Sequence, residues 1–553
     1  VAITVVPSAY GRAASLTLRN AVADAKHADP LAPVTVIVPT NSVGVAARRL
    51  LASGELGPVV PNGRGIVGVS FLTVFRLAEL LGAPRLAAEH RRPVSTAVLA
   101  AAVRHVLARA PGVFGPVATH PATEEALVGA YRELGDLDAE QLDVLATQHS
   151  RAREVVRVVR AVRQRLAAEW YDEHDLMDAA RLAIESGSPL LRDLGTVVCY
   201  LPQRWSVPAA RVLHALDERT KVVIIAGLTG VPAADAAVLA SLARVGIKIA
   251  DNDVAAIEPP LGHEVVSASD ADDEVRAIVR DVVNALRAGV PLERMAVLYG
   301  PDEPYARLLH EHFDSAGIAH NGASVRSLAD TMFGRTLLRL LALADSALSR
   351  DDVCALFSSA PLRDRQGRLV PGLRWERVSR RAGVVTGVDQ WHQRLAAYVQ
   401  TLGESTRADV ERRDAQSLRA FIDDLSAALD GRTHARSWST WARWARELAR
   451  RFVGNERRRG EWPAVERDAA SRVELVLDRL GRLDSVEDAP SLDVFRRAVA
   501  VELDTAHERV GSLGSGVLVG PASFALGIEL ERVWVCGLAE GVFPAVPRDD
   551  ALV

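Results

Sequence analysis

Phosphoryl-transfer chemistry is the first possibility raised by the residues near the start of the chain. The turn Pro7-Ser-Ala-Tyr-Gly11-Arg12-Ala-Ala-Ser15 follows a short apolar run and precedes a helical pattern, which is where a phosphate-binding loop sits. Such a loop reads Gly-x-x-x-x-Gly-Lys-Ser/Thr, because backbone N–H groups wrap the phosphates and the lysine reaches the β/γ oxygens. Here Gly11, Arg12 and Ser15 are present, and Ala13 and Ala14 stand where the second glycine and the lysine would be if Ser15 is the hydroxyl. Hydrolysis also needs carboxylates for Mg²⁺ and a group that senses the γ-phosphate. The strand Thr196–Leu201 ends in Pro202-Gln203-Arg204-Trp205 and offers no carboxylate, and Lys221–Ala226 ends in Gly227-Leu-Thr-Gly230 and offers neither an acid nor a glutamine as sensor. Asp217-Glu218 closes a helix before a strand, the wrong edge for a metal carboxylate, and Asp251 and Asp253 read as a turn.

Other chemistries have less to stand on. Cys199, Cys354 and Cys536 are far apart and form no CxxC pair, which excludes a disulfide framework and argues against a zinc or iron–sulfur site. His310 and His312 are two apart on a predicted helix and face different sides, so with His320 they read as a solvated surface rather than a metal site. The only acidic-x-Lys match, Asp24-Ala-Lys26, lies inside the first predicted helix and is rejected as a nuclease pair.

The elements that must position these residues alternate. Strand, turn and helix recur from Ile3 to about Ala52, the start of a doubly wound α/β domain. Strands are expected at Ile3–Val6, Val34–Val38, Thr196–Leu201, Lys221–Ala226, Val245–Ala250, Glu264–Ala268 and Met295–Tyr299, with a helix from about Leu16 to Ala28. Between them, residues 93–190 turn helical, and six arginines crowd Arg151–Trp170; a solvated face is the ordinary reading, a phosphate-tracking face the alternative. The chain is largely helical again from Thr331 to about His507, with an Arg-rich loop expected at Arg363–Arg381. There Trp438, Trp441 and Trp444 recur three apart among arginines, which suits a buried helix stripe more than a base-stacking platform. Gly516–Gly520 and Arg532–Leu538 read as two buried strands of a parallel sheet.

Composition bounds the rest. A length of 553 residues suggests about three or four domains. No run approaches the ~18 apolar residues of a membrane span and no signal peptide is evident, so a cytoplasmic protein without membrane contact is expected. A net charge of −4 excludes a uniformly basic coat and confines any DNA contact to a local groove. The positive charge is almost all arginine, with three lysines, Lys26, Lys221 and Lys248.

Late in the chain, Ser523-Phe-Ala-Leu-Gly527-Ile-Glu529 connects the two strands, and Gly537-Leu-Ala-Glu540-Gly541-Val-Phe543-Pro544 follows the second. This order resembles the late motor motif of superfamily 1 DNA helicases, most closely the version in AddB-type subunits of bacterial helicase–nuclease complexes. The resemblance covers essentially the whole chain and implies an α/β fold of two RecA-like, P-loop-NTPase-type parallel-sheet domains, each with a helical insertion, as in UvrD-like helicases. It divides the chain into 1–92 and 191–258 (first RecA-like domain), 93–190 (helical insertion), 259–330 and 511–553 (second domain) and 331–510 (second insertion), with Pro259-Pro260 at a boundary. Where such motors end a strand of the second domain in an arginine that touches the γ-phosphate, this chain has Gly300.

Four substituted stations imply an ATPase-inactive, helicase-like DNA-binding subunit that processes double-strand ends for recombinational repair. Its expected partners are DNA (single-stranded or duplex ends) and a catalytically active UvrD/AddA-like helicase subunit. A PD-(D/E)XK nuclease is expected after Val553, and no cofactor, neither ATP nor Mg²⁺, is expected in this segment. An active ATP-dependent DNA helicase with degenerate motifs and a non-catalytic protein-interaction scaffold are the alternatives. By position in the motor, the DNA-binding candidates are Thr40 and Asn41, Ser70 and Phe71, Ser523, Gly527 and Glu529, and, on electrostatic grounds, Arg450 and Arg451.

Overall fold

In a computed structural model of the chain, residues 3–60, 63, 65–249, 262 and 264–544 are described. Asp251, Asp253 and Pro259-Pro260 lie outside them. The chain forms two compact units: one comprises Val1–Val94, Gly129–Val325 and Arg509–Val553, the other Ser95–Val128 and Arg326–Glu508.

The first unit is α/β and holds two five-stranded sheets. Strands β1 (Thr4–Ala9), β2 (Val34–Ile37), β3 (Val69–Leu72), β4 (Thr196–Tyr200) and β5 (Val222–Leu228) form the first, in the order β1-β5-β4-β2-β3. Every pairing is parallel, with Thr4 opposite Val223, Val197 opposite Val222, Val36 opposite Val198 and Val34 opposite Val69. Burial on both faces explains why the central strands read as unbroken Val/Ile runs. On one face, helices α1 (Arg12–Ala25) and α2 (Asn41–Ser53) supply Leu18, Val22, Ala47 and Leu51. On the other, α3 (Val74–Ala88) and helices at Glu173–Glu185 and Val207–Asp217 supply Leu77, Leu81, Met177 and Leu213.

Helix starts follow local chemistry. The Thr40 side chain accepts from Val43 N at 3.3 Å and caps α2, and Thr73 accepts from Arg76 N at 3.2 Å and caps α3. Helix α1 begins at Arg12, four residues before the expected Leu16, because Gly11 (φ 78°, ψ −136°) makes a turn that other residues resist.

The second sheet runs β8-β7-β9-β6-β10, from β6 (Met295–Tyr299), β7 (His320–Ser327), β8 (His507–Val510), β9 (Val517–Pro521) and β10 (Arg532–Cys536). Strand β9 is parallel to both β6 and β7, and β10 is parallel to β6. Helices α5 (Ala271–Arg287) and α6 (Tyr305–Ser315) cover one face, where Val275, Val282, Leu309 and Phe313 meet Val297 and Val519. The other face carries Ala296, Leu298 and Leu518, packed against Ala525, Ile528 and Leu530 of the β9–β10 connection.

Five expectations need correction. Residues 245–249 and 264–268 form no strand: the first closes the helix Pro232–Arg244, and the second is solvent-exposed, Val265 at 97%. Strand β10 is an edge rather than a buried strand, with Val533 and Val535 exposed, because Val-rich composition cannot tell a central strand from the last one in a sheet. Part of the Arg-rich stretch expected as loop is the helix Gly372–Arg381, which buries Trp375 and Val378 on one side. His310 and His320 are buried rather than solvated.

The second unit is helical. Helix α7 (Trp438–Phe452) buries Trp438, Trp441, Trp444, Leu448 and Phe452 along one stripe. The Trp441 ring stacks on Phe495 with centroids 6.1 Å apart and its Nε1 donates to Pro490 O at 3.0 Å; Trp444 Nε1 donates to Ala428 O at 3.1 Å. Those partners leave the tryptophans as core. No helix among the described residues is long and apolar enough to cross a membrane. Trp441→Ala should lower the stability of this unit by about 3–5 kcal/mol, read by denaturant unfolding followed at the remaining tryptophans; a loss under about 1 kcal/mol would contradict the core assignment.

Candidate functional site

The carboxyl ends of the first sheet's strands are where an α/β fold binds ligands, and this chain's own side chains crowd that edge. At the β1–α1 turn, Ser15 is buried and donates to Glu529 Oε2 at 3.4 Å, a contact spanning 514 residues of sequence. Arg12 Nη1 lies 3.7 Å from Glu529 Oε1 and 2.9 Å from Glu55 Oε1, while Arg294, just before β6, reaches Glu55 at 2.8 Å. An alternating chain of charge, Arg294–Glu55–Arg12–Glu529, therefore runs along the head of α1. Glu529 thus meets α1 through two side chains of its first turns, the Ser15 hydroxyl and the Arg12 guanidinium.

Aromatic rings fill the neighbouring stations. Gln203 Nε2 donates to the Tyr10 hydroxyl at 2.9 Å, and a Cβ on Gly227 would come within 2.7 Å of the Tyr10 ring. Burial pushes the hydroxyl pKa values of Tyr10 and Tyr200 up, and Tyr200, at the end of β4, hydrogen-bonds Ser15. In the second sheet, a Cβ on Gly300 would meet the Phe543 ring at 2.5 Å. The space beside Gly300 is filled by the Phe543 ring of the closing turn. Glu274 braces that turn, accepting from Gly537 N at 3.0 Å and from the Tyr305 hydroxyl at 2.6 Å.

Leu201 locks the arrangement. Its φ is +52°, a left-handed backbone that costs a non-glycine residue about 1–2 kcal/mol. The side chain lodges against Gly227, where a Cβ would lie 2.6 Å from Leu201 Cδ2, and against Gly527 (φ +80°), where one would lie 3.0 Å from Cδ1. Gly527 is thus required for both its turn and its lack of a side chain. The next residue, Ile528, packs on the core under α2 and on the Leu298–Leu518 face of the second sheet. Glu529 is held in register by that apolar anchor.

None of the lysines reaches α1's head. Lys26 is buried at the far end of α1, donating to Ala32 O at 2.6 Å, Lys221 is exposed just before β5, and Lys248 is exposed beyond the helix Pro232–Arg244. Among the described residues, no group of three or more His, Cys, Asp or Glu side chains could hold a metal ion.

The remaining candidates are scattered in role. Thr40 is engaged as the α2 cap and Asn41 is exposed at that helix's first position. Ser70 is exposed on β3; Phe71 is half-buried beneath the Arg48 guanidinium, 5.6 Å from its ring centre. Ser523 is exposed in the β9–β10 connection. Arg450 and Arg451, in the second unit, are committed to carboxylates. Glu474 accepts from Arg450 at 2.9 and 2.6 Å and from Arg459 at 2.5 Å, and Arg451 pairs with Asp424. On α4 (Ser150–Leu166), Arg157 pairs with Glu154 at 3.0 Å and Arg160 with Asp143 at 2.7 Å.

Sequence reasoning missed a cleft of about 400 Å³ at the same edge of the first sheet, lined by Pro39, Thr73, Phe75, Gln203, Arg204 and Trp205 among others. Phe75 is 46% exposed at its rim and Arg204 is exposed. The sequence signal was available: both residues follow directly on strand ends. No family model matches the chain, and no curated protein matches it either.

Two substitutions test the packing and charge described. Gly227→Ala should cost about 1–3 kcal/mol through overpacking against Tyr10 and Leu201, and combining it with Tyr10→Ala should return part of that loss. Glu474→Ala leaves Arg459, 4% exposed, without its carboxylate, so a loss of about 3–5 kcal/mol is expected, measured by denaturant unfolding.

Proposed function

We propose that this chain is a helicase-like, ATPase-inactive DNA-binding subunit of a helicase–nuclease complex that processes double-strand DNA ends, built on a UvrD-like arrangement of two RecA-like domains. One observation carries the reading: the head of α1, where a motor of this layout seats its phosphates, already accommodates the Glu529 carboxylate, held by Ser15 and Arg12. A triphosphate there would bring negative charge against negative charge. Transfer of a phosphoryl group relies on a lysine and a metal to neutralise the developing charge. The described lysines lie elsewhere, and Arg12 is shared between Glu55 and Glu529.

For DNA, the cleft at the carboxyl edge of the first sheet offers a local groove, as the net charge of −4 requires. The exposed Phe75 ring can stack a base and Arg204 can meet a phosphate. Stacking of this kind is worth about 1–3 kcal/mol per base, and each phosphate contact on a single strand adds about 0.7 to the salt slope.

Two measurements test the reading. The purified chain should not turn over ATP with or without single-stranded DNA; turnover abolished by Arg12→Ala would favour an active motor in which Arg12 leaves its carboxylates for the nucleotide. Single-stranded DNA binding followed across salt should fall steeply, with Phe75→Ala weakening it by about 1–3 kcal/mol and Arg204→Ala lowering the slope by about 0.7. Absence of binding at low salt would leave only the protein-scaffold reading.

A further inference from the structure

Two histidines meet beneath the helical cover of the second sheet. His310 on α6 is 8% exposed and His320 at the start of β7 is 6% exposed. His310 Nδ1 lies 3.0 Å from His320 Nε2. Both outer nitrogens face backbone carbonyls, His310 Nε2 at 3.0 Å from Ala323 O and His320 Nδ1 at 3.1 Å from Ile318 O. The Phe313 ring, 5.5 Å from that of His320, adds an apolar wall.

Counting protons exposes a conflict. A carbonyl only accepts, so each outer nitrogen must carry hydrogen, and a neutral imidazole has a single N–H. Two neutral rings would spend both protons on the carbonyls and leave the inner nitrogens aiming lone pairs at each other at 3.0 Å. One further proton converts that repulsion into a charge-assisted N–H···N bond and satisfies all three contacts at once. We propose that His310 and His320 bind one shared proton across neutral pH, as an imidazole–imidazolium pair that ties α6 to β7.

The surroundings fit one positive charge. Asp314 Oδ1, also on α6, lies 4.0 Å from His320 Nε2. On α5, which packs against α6, Asp272 is engaged by His312 at 2.7 Å and Arg276 at 2.5 Å. Strand β9, whose Val517 pairs with His320, carries no ionisable side chain, and Arg326 on β7 and Arg509 on β8 are exposed. Burial and the neighbouring ring push the His310 pKa down, a cost that the N–H···N bond between the rings must offset. Any proton held between the two rings belongs to the pair rather than to either ring alone. The sign for stability follows. The folded pair holds one proton; two unfolded histidines hold two below about pH 6.5 and none above it. This pair's contribution to stability rises with pH up to about 6.5 and falls beyond it, each limb approaching tenfold in the unfolding equilibrium per pH unit.

The test is histidine-selective ¹⁵N NMR of the full chain from pH 5.5 to 8.5, with His310→Gln and His320→Gln assigning the signals. A free imidazole is only ~3% protonated at pH 8, whereas the pair should still hold one proton there, its two inner nitrogens sharing it. Two neutral tautomers at pH 7 would overturn the proposal, as would a change in these signals on adding EDTA or equimolar zinc, which would mark a metal site instead. Thermal melts give a second readout that needs no assignment. His320→Gln supplies a non-titrating N–H to His310, so the wild type should lose stability relative to this variant above pH 6.5; a pH-independent difference there would also overturn the proposal. Should neither variant fold, the wild-type proton count at pH 8 decides alone.

Discussion

In the first unit a carboxylate from the β9–β10 connection meets the first turn of α1. Glu529 reaches α1 because the half-buried Ile528 packs against the cores of both sheets and because Gly527 admits the Leu201 side chain. Leu201 in turn keeps its left-handed backbone because two glycines clear space for it. Remove any one of these and the carboxylate loses its seat. A single ion pair of this kind, with Arg12 half-exposed, is worth little in stability. Its importance is positional, since it joins the β9–β10 connection to the first turn of α1.

Charge elsewhere follows the same internal economy. With arginine supplying nearly all the positive charge, the planar guanidinium can bridge two carboxylates or cap a carbonyl where an ammonium would act as a point charge. Arg104 joins Glu124 at 2.8 Å and Glu487 at 2.7 Å within the second unit, and Arg450 and Arg459 share Glu474. Arginine-rich helices that look like nucleic-acid surfaces in sequence are in good part neutralised within the fold. An exposed cation beside an exposed ring, as at Arg204 and Phe75, is therefore the more informative feature.

Much of the architecture could be read before any coordinates. Val-rich runs bounded by Gly and Pro marked the strands of the first sheet and β6, β9 and β10 of the second, because a strand buried on two faces has little choice of residue; β7 and β8, without such runs, were not marked. Three-residue spacing marked the tryptophans of α7 as one face of a helix. That no lysine stands in the first turn and no acid follows Tyr200 directly was equally visible, whereas the reach of Asp235 to Thr229 and Gly230 was not.

Sequence alone marked most of the strands and their order, but not the coil at 264–268 or the helix at Gly372–Arg381. It could not settle what meets what across hundreds of residues. Periodicity reports that a face is covered and never by whom, so the edge position of β10 and the burial of His310 were misread, and the approach of Glu529 to Ser15 was invisible. Those outcomes belong to the tertiary structure, because they depend on which strand ends two separately folded sheets bring together and on the few places, Gly227, Gly300 and Gly527, where the backbone leaves room for a neighbour's side chain.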